Sequence, residues 1–567
     1  MSTRHALRRR GGVIVALVFA LVLSACGAMP TSSSVQAVSL DQPVGGEEQI
    51  EVQASDPVKG SDPDRIVRDF IQAATSPRGD FATARKFLAP DATWQPNQSV
   101  TIDSFSEREV SEAAEDGAVT VTVKPVAVVD EEGVYRQAAP QPIVLPFQLE
   151  QQPAGSPDAG EWRITSAPDG IVMESNLFYA SYQSTSLMFF DPTFHYLVPD
   201  QRYFPKLAAP ERTVAALLRG PSADIAPAVR TAIPDGTTLQ DGSVVQTDSS
   251  TTVSFTELST DDSRTLGLMK LQLERSLGAS SVTMTVGATA LSPAPQTVDA
   301  GTVDSTLFAL TANGGVTVSG NSLTPSDLLA DDIRETVPNA LVLISGTGTS
   351  TAPAVAVGRG QDGTVYRYTD DADRVVLDNR PGLIEPTVDP EGFVWTSTAD
   401  PSSLKVSSPQ DQEITLETGV TELTSVQAMQ VSRDGTRLAV LGTEGSSAIL
   451  GWFPVLRGSD GKPSGLGEFK RLRDLGGIGL DVAWLDSLTI GVLSREGTDT
   501  WFGSDSIGGI RDGFRAPEDA LHLSGVNRTA NVRLLSSDGT LYSRRNSVFQ
   551  KVADGISVLA NVQTVIR

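Results

Sequence analysis

A single cysteine and three histidines in 567 residues leave this chain almost no material for thiol, redox or metal chemistry. With one cysteine no intramolecular disulfide can form, so whatever folds is held by its own apolar cores. Basic side chains are scarce as well. The 44 Lys and Arg stand against 69 Asp and Glu, a net charge of −25 that repels phosphate backbones and anionic lipid heads and excludes nucleic acid as a partner. Nor is there a run long enough to span a membrane: Val13 to Leu23 is eleven apolar residues, whereas crossing about 30 Å of hydrocarbon takes roughly 20. The motifs GxSxG, HExxH and the P-loop are absent, which removes common hydrolase, metalloprotease and nucleotide chemistries.

What is present begins with the surroundings of that one cysteine. Arg4, Arg8, Arg9 and Arg10 precede the short apolar run, and Leu23-Ser24-Ala25-Cys26 follows it, the layout of a secretory signal peptide over residues 1–25. The order Leu, small, small, Cys resembles the bacterial lipobox. That resemblance implies cleavage before Cys26, a diacylglycerol on its thiol and often a further acyl chain on the freed amine. Two or three acyl chains suffice for stable anchoring where one is marginal, so Cys26 is the expected lipidation residue and the cell membrane, extracytoplasmic face, the expected location. Processing takes away four arginines and no acid, deepening the charge to −29. The lipid, not a basic patch, does the anchoring. Residues 26–59, rich in Ser, Pro, Gln, Gly and Glu and without an aromatic, are expected to form a tether reaching at most about 100 Å at about 3.3 Å per residue.

Residues 60–178 read as an α+β domain. Ser61-Asp62-Pro63 supplies a helix start ahead of the one-sided stripe Ile66, Val67, Phe70, Ile71 and Ala74, and a second short helix fits Asp80 to Leu88. The runs 119–123, 143–147 and 162–164 alternate as strands of an antiparallel sheet. Helices followed by a meander ending in Glu161-Trp162-Arg163-Ile164 are similar to the cystatin-like and nuclear-transport-factor-like cone folds. Enzymes of that fold use a pocket Asp/His pair, and this segment has no histidine; Asp91 is expected to be a turn residue.

A second α+β unit is expected over residues 185–295: a buried strand at 187–190, a helix from Glu211 to Arg219 stopped by Gly220-Pro221, a strand at 252–255, a long helix from Ser263 to Leu277 and a strand from Val282 to Val286. Leu217-Leu218-Arg219-Gly220-Pro221, the turn Ile233-Pro234-Asp235-Gly236-Thr237 and the strand at 252–255 resemble the GerMN domain of spore-germination and sporulation proteins. The order lipobox, α+β domain, GerMN-like domain and repetitive β region is similar to that of the actinobacterial LpqB lipoproteins.

From 300 to 567 the texture changes to short strands and Gly/Asp turns. A strand, turn, strand phrase recurs around Asn313, Asp362, Glu391, Asp434, Asp486 and Asp538, the last three each 52 residues apart. A period of about 40 to 50 residues marks propeller blades, and this length holds about five or six of them.

Candidate chemistry in these modules is thin. Gly358 to Gly363 fits GxGxxG, yet Val365-Tyr366-Arg367-Tyr368 continues as a strand where a phosphate site needs a helix N-terminus, so it reads as a hairpin. Gly461-Lys462 is followed by proline, and Asp370-Asp371-Ala372-Asp373 lacks the spacing of a calcium loop. His195 reads as a packed or surface residue, and His522 has no acid partner in sequence. No catalytic residue, cofactor or metal is expected. The chain therefore reads as a lipid-anchored extracytoplasmic binding protein, the alternatives being a receptor for a cell-wall fragment or small solute, or a propeller-borne envelope hydrolase. What the LpqB resemblance implies is the partner: the external sensor domain of an MtrB-like two-component histidine kinase, whose signalling in envelope homeostasis and cell division such lipoproteins tune. Replacing the anchor residue, Cys26→Ala, is expected to abolish metabolic acyl labelling and leave the precursor uncut by the lipoprotein peptidase; unchanged labelling would rule Cys26 out.

Overall fold

In the computed structural model, residues 55–567 are described apart from short stretches at 105–107, 140, 248–249, 300, 303–306, 320–321, 347–354, 370–371, 418, 421, 561 and 567. Cys26, the signal peptide and most of the tether lie outside the described residues, as do Asp370 and Asp371.

The first module starts where the sequence places it. Helix α1 (Pro63–Ala73) carries proline in its first turn and buries Ile66, Val67, Phe70 and Ile71. Helix α2 (Arg78–Arg85) ends sooner than expected and opens with a left-handed turn, Gly79, Asp80 and Phe81 having φ of 56–60°; Leu88 lies beyond it and bridges Ile164. Eight strands follow: β1 (Ser99–Asp103), β2 (Glu109–Val110), β3 (Ala118–Val123), β4 (Pro125–Asp130), β5 (Tyr135–Gln137), β6 (Ile143–Gln151), β7 (Trp162–Ser166) and β8 (Ile171–Glu174). They form two four-stranded sheets, β5-β4-β1-β8 and β2-β3-β6-β7, rather than one meander, and β1 runs parallel to β8. The space a cone fold would leave open is filled. Phe70 meets Trp94 edge-on at 4.9 Å and Phe147 at 6.0 Å, and the Trp94 indole donates to the Gly170 carbonyl at 3.0 Å. Asp91 sits exposed in the turn after Pro90, as expected.

A short helix, α3 (Ser175–Ser181), leads into the second module. Strands β9 (Tyr182–Phe190) and β10 (Leu197–Pro205) pair antiparallel, and α4 (Ala209–Arg219) ends at Gly220, whose φ of 101° suits only glycine. The sheet order is β11-β12-β13-β14, from Thr238–Gln246, Thr251–Glu257, Val282–Val286 and Thr289–Ala290. Helix α5 (Ser263–Leu277) joins β12 to its parallel neighbour β13. Its ends coincide with the sequence expectation because both caps are built in: the Asp262 carboxylate accepts from the Thr265 amide at 2.8 Å, and Gly278 takes the left-handed conformation. Gly267 stands inside this helix because the Ala294 carbonyl oxygen passes 1.9 Å from where a Cβ would be.

Six sheets make up the rest of the described chain. Blade 1 takes strands between 307 and 325 together with Ile556–Ala560; blade 2 runs from Ala340–Gly346 to Ala372–Asp378, with Val562–Ile566 added parallel to its first strand. Blades 3, 4, 5 and 6 begin with inner strands Thr387–Val388, Ser425–Val431, Ile478–Trp484 and Ala520–Val526. Each inner strand meets the next all the way round to Ile556–Ala560, so the C-terminal strands complete the first blade. One short helix, α6 (Ala330–Thr336), links blades 1 and 2 in a region expected to be almost pure strand.

The repeat of turn acids has a local cause. Asp362, Asp434, Asp486 and Asp538 each accept, through Oδ1, the backbone N–H two residues on, and in the third turn the acceptor is Asp389, not the expected Glu391, whose amide it takes, all at 2.9–3.1 Å. The acid marks a tight hairpin, not a fixed place in the blade. Asp434 and Asp486 join the first and second strands of their sheets, while Asp362 and Asp538 join the second and third, so the even spacing of 52 does not follow blade registry.

Candidate functional site

Gly358 to Gly363 is the hairpin between Val355–Arg359 and Val365–Thr369, with no helix for a phosphate to meet, and Gly461-Lys462 lies in a turn of blade 4. His195, on the β9–β10 connection, is not merely a surface group: its Nδ1 lies 3.8 Å from Oε1 of Glu391 on blade 3, across the joint between the second module and the propeller. Burial, then the Asp389 charge, pushes the Glu391 carboxyl up from its ordinary range.

His522 is where the sequence reading fell short. It sits on the inner strand of blade 6, and its Nδ1 lies 3.2 Å from Oε1 of Glu385, which precedes Pro386 at the entry to blade 3. Asp481, buried on the inner strand of blade 5, completes the group: its Oδ2 accepts the Leu523 amide at 2.6 Å and its Oδ1 the Val482 amide at 2.8 Å. Sequence separations of 137 and 41 residues hid this meeting, which only ring closure produces. One local signal existed, a polar residue flanked by apolar ones at Leu480-Asp481-Val482 and Leu521-His522-Leu523. In both strands the ladder register shifts at the site residue, between Gly479 and Asp481 and between Ala520 and His522, the kind of irregularity that re-aims a side chain.

The electrostatics follow from the packing. Burial first, and the Glu385 charge second, raise the Asp481 carboxyl from 3.8 to about 7. The hydrogen bond to Glu385 raises His522 from 6.5 to about 9. Near neutral pH the axis thus holds a protonated His522 against Glu385, beside an Asp481 carboxyl close to the midpoint of its titration. The cavity is about 70 Å³ and is flanked by Gln563 from the last strand, whose Oε1 accepts from the Thr387 hydroxyl at 2.9 Å and the Val388 amide at 3.1 Å. That is room for a few waters; small-molecule sites run to about 300–1,000 Å³. Among the described residues no group of three or more His, Cys, Asp and Glu is arranged to hold a metal ion. Paired carboxylates are there, but not the space for a substrate between them.

With the modules in place, comparison with known proteins is decisive. Residues 56–179 match the family model for the N-terminal domain of lipoprotein LpqB, and residues 340–559 that for the LpqB beta-propeller domain. The chain belongs to the LpqB lipoprotein family. Between those two, residues 177–288 match a model described as sporulation and spore germination. An LpqB lipoprotein of Rhodococcus opacus is 30% identical over 261 residues, which is 44% of this chain and 41% of its own length, so the match spans about two fifths of that relative. The LpqB lipoprotein of Mycobacterium bovis is 24% identical over 568 residues, 92% of this chain and 90% of its own. Among solved structures, a chain of a nidogen/laminin complex (10% identity, TM-score 0.33, 45% of this chain and 97% of that one) and TolB from Acinetobacter baumannii (12%, 0.29, 45% and 65%) are similar at a distance that says nothing of function. As an LpqB lipoprotein the chain is membrane-anchored, and no described helix is long and apolar enough to cross a membrane.

The axis makes a pH-dependent contribution to stability. Because folding raises His522, its stabilisation is complete below pH 6.5 and is lost as pH climbs through about 9; because folding also raises Asp481, stability falls between about pH 4 and 7. Thermal melts of His522→Gln are expected to lose the His522 decline between pH 6.5 and 9 and to keep the Asp481 decline that starts near pH 4, with its upper end moved higher because the His522 charge no longer holds that carboxyl down. Parallel profiles for variant and parent would contradict the pairing.

Proposed function

We propose that this LpqB-family lipoprotein, anchored through Cys26 on the extracytoplasmic face, is a non-catalytic accessory protein. It binds the external sensor domain of an MtrB-like two-component histidine kinase and tunes its signalling in envelope homeostasis and cell division. The observation that carries this reading is the packing of three modules into one continuous body. The apolar core of the second module, with Phe189, Phe190, Val214 and Phe255, runs on into Ala439, Leu450, Trp452 and Trp484 of blades 4 and 5. Such a body presents large fixed surfaces while its polar axis is closed to substrates, which suits binding better than turnover.

A bound partner of this kind alters a kinase only by preferring one of its states, and a preference of about 1.4 kcal/mol shifts the balance about tenfold. Given the excess of acids, the complementary face is basic or neutral and association slows as salt rises. Titrating the full lipoprotein in detergent against the purified sensor domain is expected to show micromolar or tighter binding, with no hydrolysis of ester, lactone or glycoside substrates. Turnover abolished by Glu385→Gln or Asp481→Asn, together with no kinase binding, would establish the hydrolase alternative instead.

A further inference from the structure

Where the three modules meet there is a cleft of about 670 Å³, within the range of small-molecule sites. Its charge runs against the chain. Six cations line it, Arg136, Arg437, Lys470, Arg471, Arg473 and Arg511, against three acids, Asp200, Asp224 and Asp474, in a protein whose acids outnumber its bases by 25. The acids are already engaged. Asp200 is held by Arg202 at 2.7 Å, Asp474 by Arg471 at 2.7 Å, and Asp224 by Arg136 at 2.8 Å and Lys470 at 3.4 Å. Lys470 also reaches Glu468 on the exposed rim.

The cations of the propeller wall are less well matched. Arg473 and Arg511 share one carboxylate, Asp505, at 3.3 and 3.2 Å; the latter ion pair lacks hydrogen-bond geometry, so Arg511 Nε and Asp505 Oδ1 make no hydrogen bond, while Arg511 Nη2 donates to the Leu472 carbonyl at 2.6 Å. Burial also pushes the Asp505 carboxyl up, against the pull of both guanidinium charges. On the floor Arg437, almost wholly buried over the Trp452 ring at 5.7 Å, has an unpartnered Nε. Buried guanidinium N–H groups left unmatched are costly unless something accepts from them.

We propose that this cleft binds a small solute carrying an oxyanion, phosphate or carboxylate, held by Arg473 and Arg511 from the propeller with Arg136 of the first module across from them. Guanidinium groups match both oxyanions through paired N–H donors. Because its two walls come from different modules, the ligand would tighten their joint. This site is separate from the kinase reading, and either can fail while the other stands.

The test is isothermal titration calorimetry of the full lipoprotein in detergent with inorganic pyrophosphate and, in a second arm, citrate, with glucose as a neutral control. Saturable binding of either anion but not of glucose is expected, weakened about tenfold by Arg473→Gln and by Arg136→Gln. Pyrophosphate alone would assign phosphate as the recognised group and citrate alone carboxylate. If near-ultraviolet circular dichroism shows Arg473→Gln misfolded, the half-exposed Arg136 decides in its place. No saturable binding of either anion, or affinity unchanged in the deciding variant, would overturn the proposal.

Discussion

Strand β10 bonds to both other modules, and a buried charge lies at its centre. Asp200 accepts from Arg202 at 2.7 and 3.2 Å and from the amide and hydroxyl of Ser222 at 2.7 and 3.0 Å, so its lone pairs are spent within the second module. Arg202 then reaches the first module, donating through Nη1 to the Glu132 carbonyl at 2.8 Å, while the Tyr203 amide meets the Gly133 carbonyl at 2.8 Å. From the other side Arg437 of blade 4 donates to the Pro199 carbonyl at 2.5 Å. Losing one member of such a buried set strands the others without partners, at about 3–5 kcal/mol.

This joint explains why modules of such different texture make one body. Apolar packing supplies the bulk of the attraction, with Ile225 beside blade 4 and Tyr203 in the aromatic cluster of Tyr135, Phe178 and Tyr182. Apolar contact alone does not fix an angle between domains. Directional hydrogen bonds made at Pro199, Arg202 and Tyr203 of one strand do, and they set the walls of the cleft as a by-product. The polar axis of the propeller lies apart from this joint, and its cavity of about 70 Å³ has room for a few waters.

Local chemistry was what the sequence could reveal. The ends of α5 were legible because Asp262 and Gly278 are caps, and the hairpins because each turn acid satisfies an amide two residues away. The fold class was legible too, from the GerMN-like signature and from the recurring short strands with Gly/Asp turns. What escaped depended on closure and docking. Glu385 and His522 are neighbours only once six blades form a ring, β1 finds β8 as a parallel partner only after six strands intervene, and Lys470–Leu475, the strand that carries three cations of the cleft, pairs with Ser447–Arg457 across a long excursion.

Calorimetric unfolding of the full lipoprotein beside its Arg437→Ala variant tests most directly whether the modules are one body. A single transition in the parent, whose calorimetric and van't Hoff enthalpies agree, should split in the variant as the propeller uncouples from the second module. Several independent transitions already present in the parent, unmoved by the substitution, would contradict a shared joint at β10.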